Sequence, residues 1–241
     1  MDRGIRGSVV ALVLLVAAAA AAAALAADPP AAGEPPSGCI CEQGQRQSPI
    51  DLGGAAAAEL PAIRFRYGET VAAEVFDTGK TVEVEFPPDR RPWIAIRGER
   101  FELLQFHFHR PSEHRIGSEE YPMELHFVHQ NQVGELAVVG VFLDGAAGEP
   151  QPVIARIWAT VPEEVGERAE IRLSPAGLLP RDRSYVRYAG SLTTGRCSEG
   201  VRWHVLRGRL AVTPRQVEDF RHPNSARSVQ PLNGRPVLVG G

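Results

Sequence analysis

Polar and apolar residues alternate with period two through two stretches near the middle of the chain. From Phe101 to His109 (FELLQFHFH) the alternation predicts a strand. Leu104, Phe106 and Phe108 fall on one face, and Gln105, His107 and His109 on the other. Met123 to His129 (MELHFVH) predicts a second strand, with Glu124, His126 and Val128 on one face and Leu125, Phe127 and His129 on the other. Ile63 to Tyr67 and Thr81 to Phe86 alternate in the same way. Glu135 to Leu143 (ELAVVGVFL) is apolar on both faces, the pattern of a central strand. Val201 to Leu206 and Arg209 to Val212 read as further strands. Turn-forming residues separate these segments: Asp77-Thr78-Gly79, Pro87-Pro88-Asp89 and Asn131-Gln132-Val133-Gly134. Helical signals are few. Ile154, Ile157, Trp158 and Val161 recur at helical spacing, and Thr213-Pro214-Arg215-Gln216 is a capping box that predicts a short helix to about Arg221. The pattern describes a β-dominated α+β domain, with helices peripheral to a large sheet.

Candidate chemistry concentrates where the alternation is clearest. Five of the 7 histidines lie between Leu104 and His129. Two antiparallel neighbouring strands would aim His107, His109 and His126 at one point. A lone histidine on a strand is more often a satisfied surface or core residue. Three on facing positions, with Gln105 and Glu124 beside them to hold the outer ring nitrogens, point to a metal. Three neutral imidazoles with a fourth position open are the pattern of catalytic rather than structural zinc.

The N-terminus adds a destination. Arg3 and Arg6 precede an uninterrupted apolar run from Val9 to Ala27, and Ala24-Leu25-Ala26 fits a small-x-small cleavage site. A cleaved signal over residues 1–27 is the favoured reading, because alanine is weakly hydrophobic; an uncleaved N-terminal membrane anchor is the rival. Either implies export, to a periplasmic or extracellular location. Residues 28–38 are rich in Pro and Ala without period and read as a linker. About 200 residues remain from Cys39 (39–241), enough for one domain with a sizeable core. A formal net charge of −3 argues against non-specific binding to nucleic acid or to an anionic membrane. The 3 cysteines of an exported chain suggest one disulfide and one left over. Cys39, after Pro36-Ser37-Gly38, stands in a poor context for lipid attachment and reads as unpaired.

The motifs then acquire a family. QFHFH followed by ELHFVH is similar to the zinc site of the α-class carbonic anhydrases, in a bacterial, exported form. Gln47-Ser48-Pro49-Ile50-Asp51-Leu52 resembles that family's QSPIN/D segment. Ser112-Glu113-His114 resembles its SEH motif, Tyr188-Ala189-Gly190-Ser191-Leu192-Thr193-Thr194 its YPGSLTT loop, and Gln230-Pro231-Leu232-Asn233-Gly234-Arg235 its closing QPLN-R. These motifs stand in the family's order from about Cys41 to Val237. The resemblance implies a large, twisted, mostly antiparallel sheet with one Zn2+ at the base of a conical cavity. It implies His107, His109 and His126 as ligands, and Gln105 and Glu124 as the acceptors that fix the His107 and His126 tautomers. It implies reversible hydration of CO2 to bicarbonate and a proton, with zinc-bound hydroxide attacking CO2. Thr193 would orient the hydroxide while donating to Glu113, and Thr194 would contact bicarbonate. Val128, Val138, Leu192 and Trp203 would form the dry wall for CO2. Cys41 and Cys197 match the positions that exported members join by a disulfide, a closure worth roughly 4–5 kcal/mol on a chain-entropy account. Sulfonamide and anion inhibitors are expected. Ester hydrolysis is a side activity of the same chemistry. A non-catalytic protein on this fold is the alternative; such relatives typically lose a zinc histidine, and all three are here.

Three departures stand out. Lys80, after Gly79, occupies the family's proton-shuttle histidine position, and an ammonium holds its proton too tightly to relay it near neutral pH. Lys80 is therefore read as a solvated rim residue, with buffer expected to carry the proton. Gly195-Arg196 replaces the usual two prolines after the threonines, which predicts a less rigid loop. The aromatic segment that usually precedes the first cysteine is missing, which predicts a more open cavity wall.

Overall fold

In the computed structural model, residues 40–240 are described; the signal and linker predicted over 1–38, and Cys39, lie outside them. Among the described residues thirteen strands form one sheet: β1 (Ala56–Ala57), β2 (Arg64–Arg66), β3 (Val71–Asp77), β4 (Val82–Glu85), β5 (Trp93–Ile96), β6 (Glu99–His109), β7 (Met123–Gln130), β8 (Leu136–Asp144), β9 (Arg168–Leu173), β10 (Tyr185–Ser191), β11 (Glu199–Leu206), β12 (Leu210–Ala211) and β13 (Leu238–Gly240). The order across the sheet is β1-β13-β10-β11-β8-β7-β6-β4-β3-β9, with β12 on β8, β5 on β6 and β2 on β5. β8 pairs in parallel with β11 and β12, and β1 with β13; the other pairings are antiparallel. The short helices are α1 (Ile40–Gln43), α2 (Pro152–Thr160) and α3 (Pro214–Glu218). Among the described residues no helix is long and apolar enough to cross a membrane.

Both faces of the middle strands are covered. On one face Val84, Phe106, Phe108, Leu125, Phe127 and Val139 pack with Ile154 and Ile157 of α2. On the other, Val128, Val138, Phe142, Trp203 and Val205 form a second cluster. Each such side chain, fully buried, contributes roughly 1.5–3 kcal/mol. β8 is buried at every position from Ala137 to Leu143, as its two-sided apolar pattern predicts.

Two expectations need correction. Leu104 does not share the core face with Phe106 and Phe108. The β6–β7 register steps from Leu103↔His129 to Gln105↔Val128, a bulge that flips the parity of β6, so Phe101 and Leu103 are the buried partners of Phe106 and Phe108 while Leu104 is only half-buried. The helix predicted to Arg221 ends at Glu218 with Asp219 as its C-cap. Its capping box forms as expected, but Pro223 biases His222 out of helical geometry and the chain turns away early.

Two histidines of the sheet are buried without a charge partner. Burial pulls His129 down to about 3 and His204 down to about 4. His129 is satisfied by Tyr67 and by the Ala137 carbonyl, whereas His204 Nδ1 has no partner among the described residues. Both rings stay neutral in the fold but charge in the unfolded chain below about pH 6.5. Stability therefore falls as pH falls from about 6.5 towards about 4. We expect His204→Ile to remove on the order of 2–3 kcal/mol of that acid loss, given a shift of this size, and to raise the thermal midpoint at pH 5. Thermal melts from pH 4 to 7 check it; an unchanged pH dependence would show that His204 titrates normally.

Candidate metal centre

The register of the two central strands assembles the site. His107 on β6 lies directly opposite His126 on β7, and His109 opposite Glu124. Ring centroids are 4.9 Å apart for His107–His109, 5.4 Å for His107–His126 and 4.7 Å for His109–His126. One nitrogen from each ring lies within 4.8 Å of the others. His109 and His126 are 1% exposed and His107 6%, so the opening to solvent reaches the cluster at His107. Two surface clefts, of about 390 and 180 Å³, are lined by none of the three histidines.

His107 and His109 each have one nitrogen committed and one available. His107 Nδ1 donates to Gln105 Oε1 at 2.8 Å, and His109 Nδ1 donates to the Ser225 carbonyl at 3.1 Å. The Nε2 atoms of both rings are buried without a partner. His126 Nε2 sits 3.0 Å from Glu124 Oε1, off the line of a good hydrogen bond, which leaves Nδ1 for the centre. Burial holds His107 well below the usual histidine range, and the neighbouring His109 and His126 rings push it further down. Burial likewise lowers His109, by more than Glu113 restores. At His126 burial also lowers, but Glu124 and Glu113 outweigh it and raise the net value. A carboxylate buried like Glu124 would rise; His114 and His126 instead hold it well below its normal range.

The donor set suits a soft-to-borderline dication. Convergent imidazoles with buried, unpartnered nitrogens could hold a metal ion, and a set of nitrogen donors fits zinc. Gly140 of β8, paired with His126, keeps this set open: a Cβ there would come 3.0 Å from Glu124 Oε1.

Residues 35–240 match the family described as eukaryotic-type carbonic anhydrase. The chain belongs to the α-carbonic anhydrases. It is 38% identical over 212 residues to a carbonic anhydrase of Nostoc sp., covering 84% of this chain and 79% of that protein. It is 35% identical over 208 residues to one of Pectobacterium carotovorum, covering 84% and 83%. Among solved structures it is similar to the α-carbonic anhydrase of Photobacterium profundum, with a TM-score of 0.77 and 39% identity over 83% of this chain and 91% of that one. It is also similar to the enzyme of Thermovibrio ammonificans in complex with the inhibitor sulfanilamide, with a TM-score of 0.77 and 40% identity over 83% and 89%.

Around the histidines of this α-carbonic anhydrase the other expected residues take definite places. Val128, Val138 and Trp203 share one apolar cluster, with Leu192 packed against it, and the Trp203 ring stands 4.8 Å from that of His126. Trp203 Nε1 donates to the Ser191 carbonyl at 2.9 Å, which satisfies its one polar atom. Glu113 is buried; its Oε1 accepts from Arg227 N at 2.8 Å, and its Oε2, 3.8 Å from His126 Nδ1, has no hydrogen-bond partner among the described residues. The expected donation from the Thr193 hydroxyl to Glu113 is not formed, although Thr193 is buried; Thr194 is exposed. Cys41 and Cys197 are joined by a disulfide with Cα atoms 5.0 Å apart. Cys197 N donates to the Thr194 carbonyl at 3.2 Å, closing a tight turn with Gly195 at φ +63°. A proline cannot adopt that φ, so the Gly195-Arg196 departure is what this turn requires. Lys80 is exposed.

Several contributors are invisible in the motifs. The Ser225 carbonyl is a backbone group far along the chain, and no residue type signals it. His114, quoted only as part of a motif, donates from Nδ1 to Glu124 Oε1 at 2.7 Å and places Nε2 2.6 Å from the Tyr188 hydroxyl. Glu124 Oε2 accepts the backbone N–H groups of Glu113 and His114 at 2.9 and 2.8 Å. Glu83 of β4 lies opposite His107; burial, then the nearby Glu85, push it up to about 7.

Proposed function

We propose that His107, His109 and His126 hold one zinc ion and that the enzyme hydrates CO2 reversibly to bicarbonate and a proton. The observation that carries this reading is the pair of buried, unpartnered Nε2 atoms on His107 and His109, aimed together while each Nδ1 is occupied. When bound there, zinc supplies Lewis-acid activation of water at neutral pH. The protein's own residues do the rest. Neutral imidazoles leave the cation's charge undiminished, and Gln105, Glu124 and the Ser225 carbonyl keep each ring in the ligating tautomer. Val128, Val138, Leu192 and Trp203 offer CO2 an apolar wall from which water gains few hydrogen bonds. Glu113 is held at Oε1 by Arg227 N and keeps Oε2 without a hydrogen-bond donor; the proposed role of the Thr193 hydroxyl, which is not bonded to it in this structure, is to donate there and so orient the attacking water. Thr194 contacts the bicarbonate product. Sulfonamides and small anions are inhibitors, in keeping with the sulfanilamide complex of the Thermovibrio ammonificans relative.

We further propose export to the periplasm or cell exterior, with residues 1–27 a signal, 28–38 a linker and 39–241 the catalytic domain. The Cys41–Cys197 disulfide supports an oxidising compartment.

Zinc content measured with stopped-flow CO2 hydration at low and high buffer, with and without a sulfonamide, tests the function. Stoichiometric zinc without hydration would overturn it. The same experiment reads the exposed Lys80. Turnover should rise with buffer concentration, and Lys80→His should raise it roughly tenfold at low buffer by supplying a base matched to neutral pH. No gain in that variant would refute the assignment of Lys80 as a rim residue at the shuttle position.

A further inference from the structure

The end of β6 that carries two of the three histidines is gripped from both sides. On one side the Thr81 hydroxyl holds the backbone of Phe108, the residue between His107 and His109. It accepts from Phe108 N at 3.2 Å and donates to Phe108 O. On the other side Ser225 accepts from His109 Nδ1 through its carbonyl at 3.1 Å and from Arg110 N through its hydroxyl at 3.1 Å, and its own N–H donates to Arg110 O at 3.0 Å.

The two grips are joined by one further contact. His222 Nε2 donates to Asp77 Oδ1 at 2.9 Å, with the two side chains only 18% and 4% exposed. Asp77 ends β3, and the same oxygen accepts from Gly79 N at 2.7 Å, so it shapes the turn that delivers Thr81. His222 stands three residues before Ser225 with the stiff Pro223 between them. Its ring packs edge-on against Phe220 at 5.7 Å, and Phe220 lies against Phe108 at 6.3 Å. Asp77, Thr81, Phe108, His109, Ser225 and His222 thus close a circuit around the end of the ligand-bearing strand.

We propose that His222 and Asp77 are positioning residues whose contact holds the Ser225 carbonyl against His109 and thereby sets how tightly the histidine cluster keeps its metal. This rests on the zinc reading above. A backbone acceptor on Nδ1 fixes both the tautomer and the orientation of a ligating imidazole. Ser225 can do this only while its segment is held in place. Without the His222 donor the segment keeps its bonds to Arg110 but loses its anchor to β3, and the His109 ring gains freedom to turn away.

The test uses the zinc-loaded enzyme and three proteins: the parent, His222→Phe, which keeps the ring packing without a donor, and His222→Gln, which keeps an N–H donor. Zinc release to a colorimetric chelator, the visible spectrum after cobalt(II) substitution, and the thermal midpoint of the metal-free protein are measured. His222→Phe should release zinc roughly 3–10-fold faster and shift the cobalt bands, a smaller effect than removal of a direct outer partner of a ligand. His222→Gln should stay within about twofold of the parent, and the metal-free midpoints of the two variants should agree. Release from His222→Phe at the parent rate would overturn the proposal. Equal loss in both variants together with a lowered metal-free midpoint would also overturn it, by showing a packing role only. Should His222→Phe not fold, His222→Leu carries the same comparison. A parent that binds no zinc would instead overturn the zinc reading, so the two failures are distinct.

Discussion

His107→Ala is expected to leave a folded protein that neither retains zinc nor hydrates CO2. The ring is half of the β6–β7 pair that defines the cluster, and its Nε2 is one of the two unpartnered atoms that mark the metal position. Removing an outer partner of a metal ligand typically lowers metal affinity about 10–100-fold, and removing the ligand itself must exceed that. We therefore expect zinc affinity to fall by more than about a hundredfold, and hydration to fall with zinc occupancy. Gln105→Ala, which frees only His107 Nδ1, should fall inside the 10–100-fold range and keep measurable activity when zinc is supplied in excess. The fold should survive His107→Ala because the core on the opposite face of β6, around Phe106 and Phe108, does not involve the ring. Zinc content after dialysis, a chelator competition and stopped-flow hydration check the series. Stoichiometric zinc and parental turnover in His107→Ala would place the metal elsewhere.

Cys197→Ser is expected to give the largest loss of stability. The disulfide joins residues 156 apart in sequence, and closing so long a loop restricts the unfolded chain by roughly 5 kcal/mol on the chain-entropy account. At about 2–4 °C per kcal/mol for a protein of this size, the thermal midpoint should drop by about 10–20 °C. The loss has a functional side. Cys197 closes the turn that follows Thr193 and Thr194, and its carbonyl accepts from Gln47 Nε2 at 3.2 Å. Arg227, whose N–H anchors Glu113, also donates to the Cys41 carbonyl at 2.8 Å. Both ends of the bridge thus lie beside groups proposed to orient the reacting water. Melts of the parent with and without reductant, alongside Cys197→Ser, check the stability term. The reduced parent and the variant should coincide, and a drop below about 3 °C would show that the loop-closure entropy is not realised.

The chain's legibility varied with how local the cause was. β4, β6, β7 and β8 could be read directly, because strong alternation or a two-sided apolar run reports burial on a central strand. β3 (VAAEVFD) and β9 (RAEIRL) carry no such signal: they pair with each other at the sheet's edge, where alanines blur one pattern and exposed charges the other. β10 was hidden because its second half belongs to a motif that reads as a loop, yet Tyr188 to Ser191 pairs with β11. The bulge at Leu104 was also invisible, since it depends on how β7 meets β6 rather than on residue types.

The same division runs through the site. The strand period alone placed His107 and His109 on one face and His126 with Glu124 on another, because side chains alternate wherever a strand forms. Motif order identified the family, and with it the residues to watch. Only the folded chain brings the Ser225 carbonyl to His109, Arg227 N to Glu113, His114 to Glu124 and His222 to Asp77. Those contacts join segments up to 145 residues apart in these pairs, and two of the four use a backbone atom that every residue carries. For His109, which nitrogen stays available is therefore settled by long-range packing against Ser225, whereas at His107 and His126 the group facing the outer nitrogen, Gln105 or Glu124, stands two residues away on the same strand.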